Sequence, residues 1–237
     1  MATAASGLRA RLESLDLLAN NLANASTAGY KSDRESYGLY VSEEASSDTL
    51  PSTQPVIARE WTDFSSGVVR PTGNPLDVAI EGRGFFAVDG PQGPLYTRNG
   101  AFQLLTDGRL ANAEGYPVRS VGARAIRLDT QNPFEIQVDG TVQQDGQTVG
   151  RLEVVDFTDS QALVKQHGTC FRAATAPQPA TGARVGQGKL EGSNAAGAES
   201  AVRLIGVMRQ FEMLQKAITL GGDMSRRALE EVAKVGA

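Results

Sequence analysis

The chain contains little of what metal, redox or nucleophilic chemistry requires. Its 237 residues include a single cysteine, Cys170, and a single histidine, His167. One cysteine excludes a disulfide within the chain and any metal site built from several cysteines. The acidic residues are scattered singly, without the spacing of a calcium-binding loop. The sequence therefore predicts no metal site and no cofactor.

Long apolar runs and an excess of positive charge are also missing. No run approaches the roughly 18 apolar residues that indicate a membrane-spanning helix, so we expect no insertion into a membrane. With 23 basic and 27 acidic residues, the net charge is −4, and no basic stripe is available for nucleic acid. Residues 1–11 lack the apolar stretch of a cleaved signal peptide. Composition alone predicts a cytoplasmic protein.

Two short patterns resemble chemical motifs without their required context. His167 and Cys170 are three residues apart, but a Cys–His nucleophile needs an orienting partner and a low-pKa environment, which no motif supplies. The glycines at 82 and 84 match part of a dinucleotide-binding pattern, which requires a helix after the second glycine. Here an apolar run closed by Asp89 and Gly90 predicts a strand instead. We expect no catalytic residue and no enzyme activity.

Both ends of the chain show apolar residues at helical spacing. Over residues 3–24, the stripe consists of Leu8, Leu12, Leu15, Ala19 and Leu22. The C-terminal zone begins near residue 193 and carries a second stripe, and a Gly-Gly pair at 221–222 is expected to weaken its helix. The residues of this stripe are Ala201, Leu204, Ile205, Met208, Phe211, Leu214 and Ile218. Each apolar face needs a cover, which the rest of the chain, the other helix or a neighbouring subunit could supply.

Three asparagines, Asn20, Asn21 and Asn24, lie near the end of the first predicted helix. Asparagine favours caps and turns, so these residues could simply end the helix. Buried asparagines can also form hydrogen bonds across a helix interface and fix its register. The local sequence leaves both interpretations open.

The middle of the chain differs in texture from its ends. Residues 32–60 are rich in Ser, Glu, Thr and Pro and predict an extended linker. Between residues 61 and 190, short β-type runs alternate with Asn-Gly and Asp-Gly pairs, which favour hairpins. The clearest runs are 76–80, 84–88, 101–105, 134–138 and 152–157, and the pairs begin at 89, 99, 107, 139 and 145. This pattern predicts an antiparallel sandwich or barrel.

Four segments, in this order, resemble the flagellar basal-body rod family. The first is LDLLANNLANASTAGYK at 15–31, and the second is NPLDVAIEGRGFF at 74–86. The third is YTRNGAF at 96–102, followed by DGRL at 107–110 and GYPV at 115–118. The fourth is GKLEGSN at 188–194, which leads into RQFE at 209–212. Together they span most of the chain.

The resemblance implies an α+β fold with four regions. The expected regions are an N-terminal assembly helix (1–31), an extended linker (32–60), a central antiparallel β domain (61–190) and a C-terminal assembly helix (191–237). The terminal helices are expected to pair in a coiled-coil-like manner and form the inner tube of the rod, with the β domain outside. The single modest β region is most similar to proximal rod members of the family, and the distal rod members are the alternative.

The resemblance also implies a structural, non-enzymatic subunit that helps to transmit torque. Its expected partners are copies of itself, other rod subunits and the flagellar export apparatus. Export without a cleaved signal would place it in the periplasmic part of the basal body, which replaces the cytoplasmic prediction. The expected assembly-interface residues are Leu8, Leu12, Leu15, Leu22, Asn20, Asn21, Asn24, Ile205, Met208, Phe211 and Ile218.

Two other classes remain open at this point. A secreted adhesin or binding module would carry an exposed apolar or aromatic patch on its β domain. A hydrolase would need a clustered acid–base or nucleophile site, which this sequence does not offer. Polymerisation of the purified protein would distinguish an assembly subunit from both.

Overall fold

The computed structural model describes residues 2–41, 53–129 and 132–235, and the chain divides into two compact units. The first unit comprises residues 1–23, 33–61 and 196–237. The second comprises residues 24–32 and 62–195. The protein belongs to the mixed α+β class that the sequence predicts, with a long C-terminal helix and many antiparallel strands.

Two helices and a two-stranded sheet form the first unit. Helix α1 spans Ala2–Ala23 and helix α2 spans Gly197–Val235, and the two pack against each other. Strand β1 (Asp33–Val41) pairs with strand β2 (Thr53–Thr62). The sequence predicts a linker over this region, but its extended backbone satisfies its N–H and C=O groups by strand pairing. Residues 42–52 of that expected linker lie outside the described residues.

The two helices differ in length and in how their apolar residues are covered. α1 has 22 residues and α2 has 39, so α1 is long enough to accompany only part of α2. α2 runs without interruption through Gly221 and Gly222, because glycine is tolerated in a helix at a cost of about 1 kcal/mol each. Among the described side chains of α2, no apolar residue is fully buried.

The most buried face of α1 is different from its leucine stripe. The buried residues are Ala10, Ser14, Leu18 and Asn21. This face lies about a third of a turn around the helix from the predicted stripe. Part of it contacts β1, since Ser14 Oγ donates a 2.6 Å hydrogen bond to Glu35 Oε1. The leucine stripe is therefore not the surface that the unit itself covers best.

Short antiparallel strands form most of the second unit. They are β3 (Val69–Pro71), β4 (Val78–Glu81), β5 (Phe85–Gly90), β6 (Gly93–Thr97), β7 (Gln103–Leu104), β8 (Leu110–Ala111), β9 (Phe134–Ile136), β10 (Thr141–Gln144), β11 (Gln147–Arg151), β12 (Val154–Asp156), β13 (Leu163–Lys165), β14 (Cys170–Ala173), β15 (Gln178–Pro179), β16 (Arg184–Gln187) and β17 (Lys189–Glu191). A 3₁₀ turn, Ser160–Ala162, precedes β13. Each predicted β run contains a strand.

A six-stranded sheet, ordered β13-β14-β6-β5-β12-β15, separates two apolar clusters. Successive residues of a strand point to opposite faces. Phe86 accordingly joins the larger cluster with Val88, while its neighbour Phe85 joins a smaller aromatic cluster with Phe157 and Phe171. The remaining strands form a three-stranded sheet, β11-β10-β9, and the pairs β16-β4, β17-β3 and β7-β8.

The predicted hairpin turns divide into two kinds. Asp145 and Gly146 connect β10 to β11 with φ of 52° and 75°, the positive values that a tight hairpin requires. Asn99 and Gly100 do not form such a hairpin. Gly100 is needed because a Cβ there would overlap the carbonyl oxygen of Val78. This glycine therefore permits a close backbone approach.

Candidate functional site

The second unit contains a buried polar site built from three distant parts of the chain. One part is residues 29–32, which follow α1 in sequence; the second is Arg98, just after β6; the third is residues 191–194, just before α2. We define the clasp as the side chains of Tyr30, Lys31, Ser32, Arg98, Glu191 and Asn194.

The carboxylate of Glu191 is the centre of the clasp. Its Oε1 accepts hydrogen bonds from Lys31 Nζ at 2.7 Å and from the backbone N–H of Gly67 at 2.8 Å. Lys31 Nζ also donates to the carbonyl oxygen of Ser65 at 2.6 Å. The side chains of Lys31 and Glu191 are both 0% exposed. The ammonium and carboxylate therefore satisfy each other away from solvent.

Arg98 supplies a second cation to the same carboxylate. Its Nη1 lies 3.3 Å from Glu191 Oε2, and its side chain is 4% exposed. The guanidinium also donates to the carbonyl oxygens of Ile80 at 3.1 Å and Gly82 at 2.6 Å. Among the described residues, Glu191 Oε2 accepts no hydrogen bond, so the ion pair with Arg98 is its principal interaction.

Backbone hydrogen bonds align the two chain segments beside this ion cluster. Gly29 donates its amide to the carbonyl oxygen of Glu191 at 2.8 Å, and Asn194 donates its amide to that of Tyr30 at 3.3 Å. Gly29 has a φ of 65°, and a Cβ at this position would overlap the backbone of Asn99. Glycine is therefore required where the first segment crosses the β core.

The carboxamide of Asn194 acts as a substitute for backbone groups. Its Oδ1 accepts from the amide of Ser32 at 2.7 Å, and its Nδ2 donates to the carbonyl oxygen of Asp63 at 2.7 Å. Asp63 in turn donates its amide to the carbonyl oxygen of Ser32 at 2.8 Å. Asn194 thus joins the segment before α2 to the segments after α1 and after β2.

Tyr30 fixes the first segment from the other side. It is 2% exposed, and the ammonium of Lys165 lies 4.5 Å from the centre of its ring. The same ammonium donates a 2.7 Å hydrogen bond to the carbonyl oxygen of Lys31. A cation over an aromatic ring is attracted by its negative face, which holds the Tyr-Lys pair in place.

The electrostatics of the clasp suit a fixed structural joint. Burial lowers the pKa of Lys31 from its ordinary value of 10.5, and the charge of Glu191 opposes this shift. Burial likewise lowers the pKa of Arg98, again opposed by Glu191. Charges that are buried and paired are costly to separate, because each would be left without water or a counter-charge. The clasp can therefore hold segments together, and its charged groups are closed to a substrate.

The predicted interface residues on α1 differ in exposure. Leu8, Leu15 and Leu22 are half-buried, and Leu12 is 47% exposed. On α2, Phe211 and Ile218 are half-buried, whereas Ile205 and Met208 are 52% and 47% exposed. The structure does not bring these residues into one fully buried cluster.

The asparagines serve local roles at the end of α1. Asn21 is buried and exchanges two hydrogen bonds with the backbone of Asp33. Asn24 Oδ1 accepts from Thr27 Oγ1 at 3.2 Å, and Asn20 is exposed. The Asn24 bond lies in the turn that follows the helix and fits the interpretation in which asparagines end it, whereas the Asn21 bonds join α1 to the first residue of β1.

Cys170 lies in a strand and His167 in the turn before it, and neither position is that of a Cys–His nucleophile. Cys170 begins β14 within the larger apolar cluster, and its amide donates to the carbonyl oxygen of His167 at 3.0 Å. Burial raises the pKa of the Cys170 thiol to about 12. The thiolate that nucleophilic or metal chemistry needs is therefore disfavoured. His167 is exposed.

Sequence reasoning did not identify the clasp residues as a site. Lys31 and Glu191 are separated by 160 residues, and no local period connects them. A signal was nevertheless present, because Lys31, Arg98 and Glu191 each lie in one of the four family-like segments. The same segments also contain other charged residues, such as Asp16 and Lys189, so position alone did not single out these three.

Within the described ranges, no helix is long and apolar enough to cross a membrane. Family models match three parts of the chain. The model for flagella basal body rod proteins matches residues 1–31, and that for the flagellar hook protein FlgE/F/G D1 domain matches residues 79–147. The model for the flagellar basal body rod FlgEFG protein C-terminal matches residues 187–231. Lys31, Arg98 and Glu191 lie one in each matched region.

Relatives named flagellar basal-body rod proteins match most of the chain. The flagellar basal-body rod protein FlgF of Caulobacter vibrioides is 34% identical over 231 residues, which cover 93% of this chain and 92% of the relative. The FlgF protein of Mesorhizobium japonicum is 32% identical, covering 84% and 83%. The FlgG protein of Bacillus subtilis is 30% identical, covering 92% and 93%. The chain therefore belongs to the flagellar basal-body rod protein family and is a structural subunit of the rod.

Proposed function

We propose that this chain is a proximal rod subunit that assembles through its terminal helices and transmits torque without catalysis. The FlgF relatives support the proximal subtype, and a distal, FlgG-type subunit is the alternative. The observation that carries the assembly mechanism is the distribution of apolar residues around α2. One side of this helix is half-covered within its unit, and the opposite side carries four exposed apolar residues.

The half-covered side of α2 faces α1. Its residues are Ala201, Leu204, Val207, Phe211, Leu214 and Ile218, all half-buried. About half a turn around the helix lie Val202, Met213, Leu220 and Met224, which are 62–71% exposed. A helix that is apolar on opposite sides requires a cover on both. We call the exposed set the outer face of α2, and we propose that a neighbouring rod subunit covers it.

The leucine stripe of α1 is the second proposed contact surface. The four leucines of this stripe, Leu8, Leu12, Leu15 and Leu22, are at most half-buried. The side of α1 that its own unit covers best is the buried face described above. Packing of this stripe and of the outer face of α2 against other copies would give a coiled-coil-like lattice of helices. Heterologous contacts that do not close generate such helical assemblies. Ile205 would contribute at the margin of the outer face, and Met208 at the margin of the half-covered side.

Torque transmission requires that the helices be firmly connected to the β unit. The clasp supports this role, because it holds residues 29–32 and 191–194, which are continuous in sequence with α1 and α2, on the β core through buried charges. We further propose that the subunit passes the flagellar export apparatus without a cleaved signal and assembles in the periplasm beside other rod subunits.

Substitution on the outer face of α2 tests this assembly mechanism. Leu220→Asp places a carboxylate on an exposed side chain, so the isolated protein should melt close to wild type, within the roughly 0.5 kcal/mol typical of surface changes. In a strain whose native copy is deleted, the variant should be missing from isolated basal bodies. Burying an unpaired carboxylate in a subunit interface costs several kcal/mol.

Gln210→Asp is the matched control, because it adds the same charge at an exposed polar position of the same helix. It should be recovered in basal bodies like the wild type. If Leu220→Asp is recovered equally well, the outer face is not an assembly interface and the proposed mechanism fails.

A further inference from the structure

Glu191 belongs to the segment before α2, yet its closest ionic partner belongs to the segment after α1. The Lys31–Glu191 contact is 2.7 Å long, and both side chains are inaccessible to solvent. Glu191 also contacts Gly67 and Arg98, which belong to neither segment. The buried carboxylate is therefore shared between both ends of the second unit and its β core.

Removing residues 191–194 leaves an unbalanced charge behind, whereas removing residues 29–32 leaves Glu191 paired with Arg98 but without its closest ionic partner. Without residues 191–194, Lys31 and Arg98 would be two buried cations with no carboxylate between them. Without residues 29–32, Glu191 Oε1 would keep only the Gly67 amide, and Oε2 only the ion pair with Arg98. A buried charge that loses its partner is strongly unfavourable. Each segment is thus held more firmly when the other is in place.

We propose that the clasp makes docking of residues 29–32 and residues 191–194 onto the β core one cooperative event. The two segments detach and reattach together, while the sheets of the second unit remain folded. Opening of such local units occurs in native proteins below the free energy of global unfolding. This inference is independent of which neighbours the rod helices contact.

The coupling has a consequence for a chain whose residues become available for folding one after another, from the N-terminus to the C-terminus. Lys31 and Glu191 are separated by 160 residues, so the clasp cannot close until nearly the whole second unit is available. Until then, neither segment is fixed to the β core by this carboxylate. The clasp would therefore delay attachment of both helix-bearing ends until the subunit between them is complete.

Hydrogen exchange of single amides in the full-length protein, followed by NMR, tests the coupling. The informative variant is Lys31→Met, which removes the charge from the first segment. The informative amide is that of Gly192 in the other segment, because it donates to Val68 and not to residues 29–32. Since Glu191 keeps Arg98 and the Gly67 amide but loses one charged hydrogen bond, the coupling predicts that Lys31→Met accelerates exchange at Gly192 roughly ten- to a hundredfold.

The effect of the second segment on the first is tested with Glu191→Gln. Its informative amide is that of Asp63, which donates to Ser32 in the first segment. This amide should accelerate by a similar factor. In both variants, the amide of Val118, which donates to Leu110 within the buried core, should keep its wild-type rate. Lys189→Met is the matched control, since it removes a lysine of β17 that pairs with Glu81 at the surface.

Each outcome decides the proposal. Acceleration at Gly192 and Asp63, with Val118 and the control unchanged, supports cooperative docking. Wild-type exchange at Gly192 in Lys31→Met would show that the segments dock independently and would overturn it. Equal acceleration at Val118 would also overturn it, because the clasp would then be part of the global core. If Lys31→Met does not fold, Asn194→Ala, which removes no charge from the second segment, is read at the amide of Asp63, which donates to Ser32 in the first segment.

Discussion

The carboxamide of Asn21 exchanges a pair of hydrogen bonds with the backbone of Asp33. Asp33 donates its amide to Asn21 Oδ1 at 3.0 Å, and Asn21 Nδ2 donates to the carbonyl oxygen of Asp33 at 2.8 Å. Asn21 is near the end of α1 and Asp33 begins β1, so the side chain acts as a strand partner for the first residue of β1. This pair of bonds fixes how the chain leaves the helix and enters the sheet of the first unit.

Asn21→Ala should destabilise the first unit by about 1–3 kcal/mol, because it leaves the buried amide and carbonyl of Asp33 without these partners. Asn20→Ala is the matched control, since it makes the same change in helix propensity at an exposed side chain one residue earlier. Thermal melting followed by helical circular dichroism would compare the two. Equal melting of both variants would contradict a structural role for the Asn21–Asp33 pair.

The parts of the fold that follow from local patterns were predictable. The spacing of Leu8, Leu15 and Leu22 predicted α1, and Asp145 with Gly146 predicted a hairpin because positive φ is a local requirement. Periodicity could not reveal which face of α1 is buried, because that depends on Ser14 meeting a strand distant in sequence. The linker prediction over 32–60 missed β1 and β2, since polar composition does not show that two extended segments pair.

The clasp could not be predicted from local sequence patterns either, because its residues are distant in sequence. Lys31 and Glu191 look like ordinary surface charges in sequence, where lysine and glutamate are mostly exposed. Their burial depends on Gly29 and Gly67, whose missing side chains let two segments approach the β core. The family-like segments contained these residues, but a resemblance alone does not tell which of them meet.

Gly29→Ala should destabilise the second unit far more than Gly73→Ala. Both glycines have positive φ, 65° and 76°, so both alanines carry the roughly 1–2 kcal/mol cost of a left-handed backbone. Among the described residues, a Cβ at Gly73 meets no atom within 4 Å, whereas one at Gly29 overlaps the backbone of Asn99. Chemical denaturation of both variants would measure the difference. Similar losses would show that the segment around Gly29 can move away without cost.

Cys170 should resist alkylation in the folded protein. With a thiol pKa of about 12, only about one molecule in ten thousand is a thiolate at pH 8, and the side chain is buried. Iodoacetamide labelling followed by mass spectrometry should be negligible until urea is added. Rapid labelling without denaturant would contradict this environment. Neither Cys170 nor His167 has a catalytic setting. We therefore also expect cells that carry Cys170→Ser or His167→Ala to remain motile.

Asp139 should contribute to acid sensitivity of the β9–β10 turn. Hydrogen bonds from the amide and hydroxyl of Thr141 hold the pKa of Asp139 below its ordinary value of 3.8. A carboxyl group with a lowered folded pKa stabilises the protein above its unfolded pKa, and this contribution is lost as pH falls through the folded pKa. The melting temperature of Asp139→Asn should therefore fall less than that of the wild type when the pH is lowered from 5 to 2.5. Thr141→Val should show an intermediate loss, and identical pH profiles would contradict the prediction.

The boundaries of the stable β unit provide a final test. The sequence predicted an independent domain at 61–190, whereas the compact second unit also includes residues 24–32 and extends to 195. A fragment of residues 61–190 lacks both Lys31 and Glu191 and leaves Arg98 buried without its carboxylate. A buried cation that loses its partner costs about 3–5 kcal/mol. The fragment also loses the backbone bonds from Gly29 and Asn194.

A fragment of residues 24–195 retains every clasp residue and should therefore resist proteolysis and melt cooperatively. The 61–190 fragment should melt earlier and be cut faster under the same conditions. Arg98→Met introduced into the shorter fragment separates the causes, because it removes the unpaired cation while keeping an apolar side chain of similar length. Recovery of part of the lost stability would assign that part to the unpaired charge. Equal stability of the two unmodified fragments would show instead that residues 24–32 and 191–195 are dispensable for the β unit.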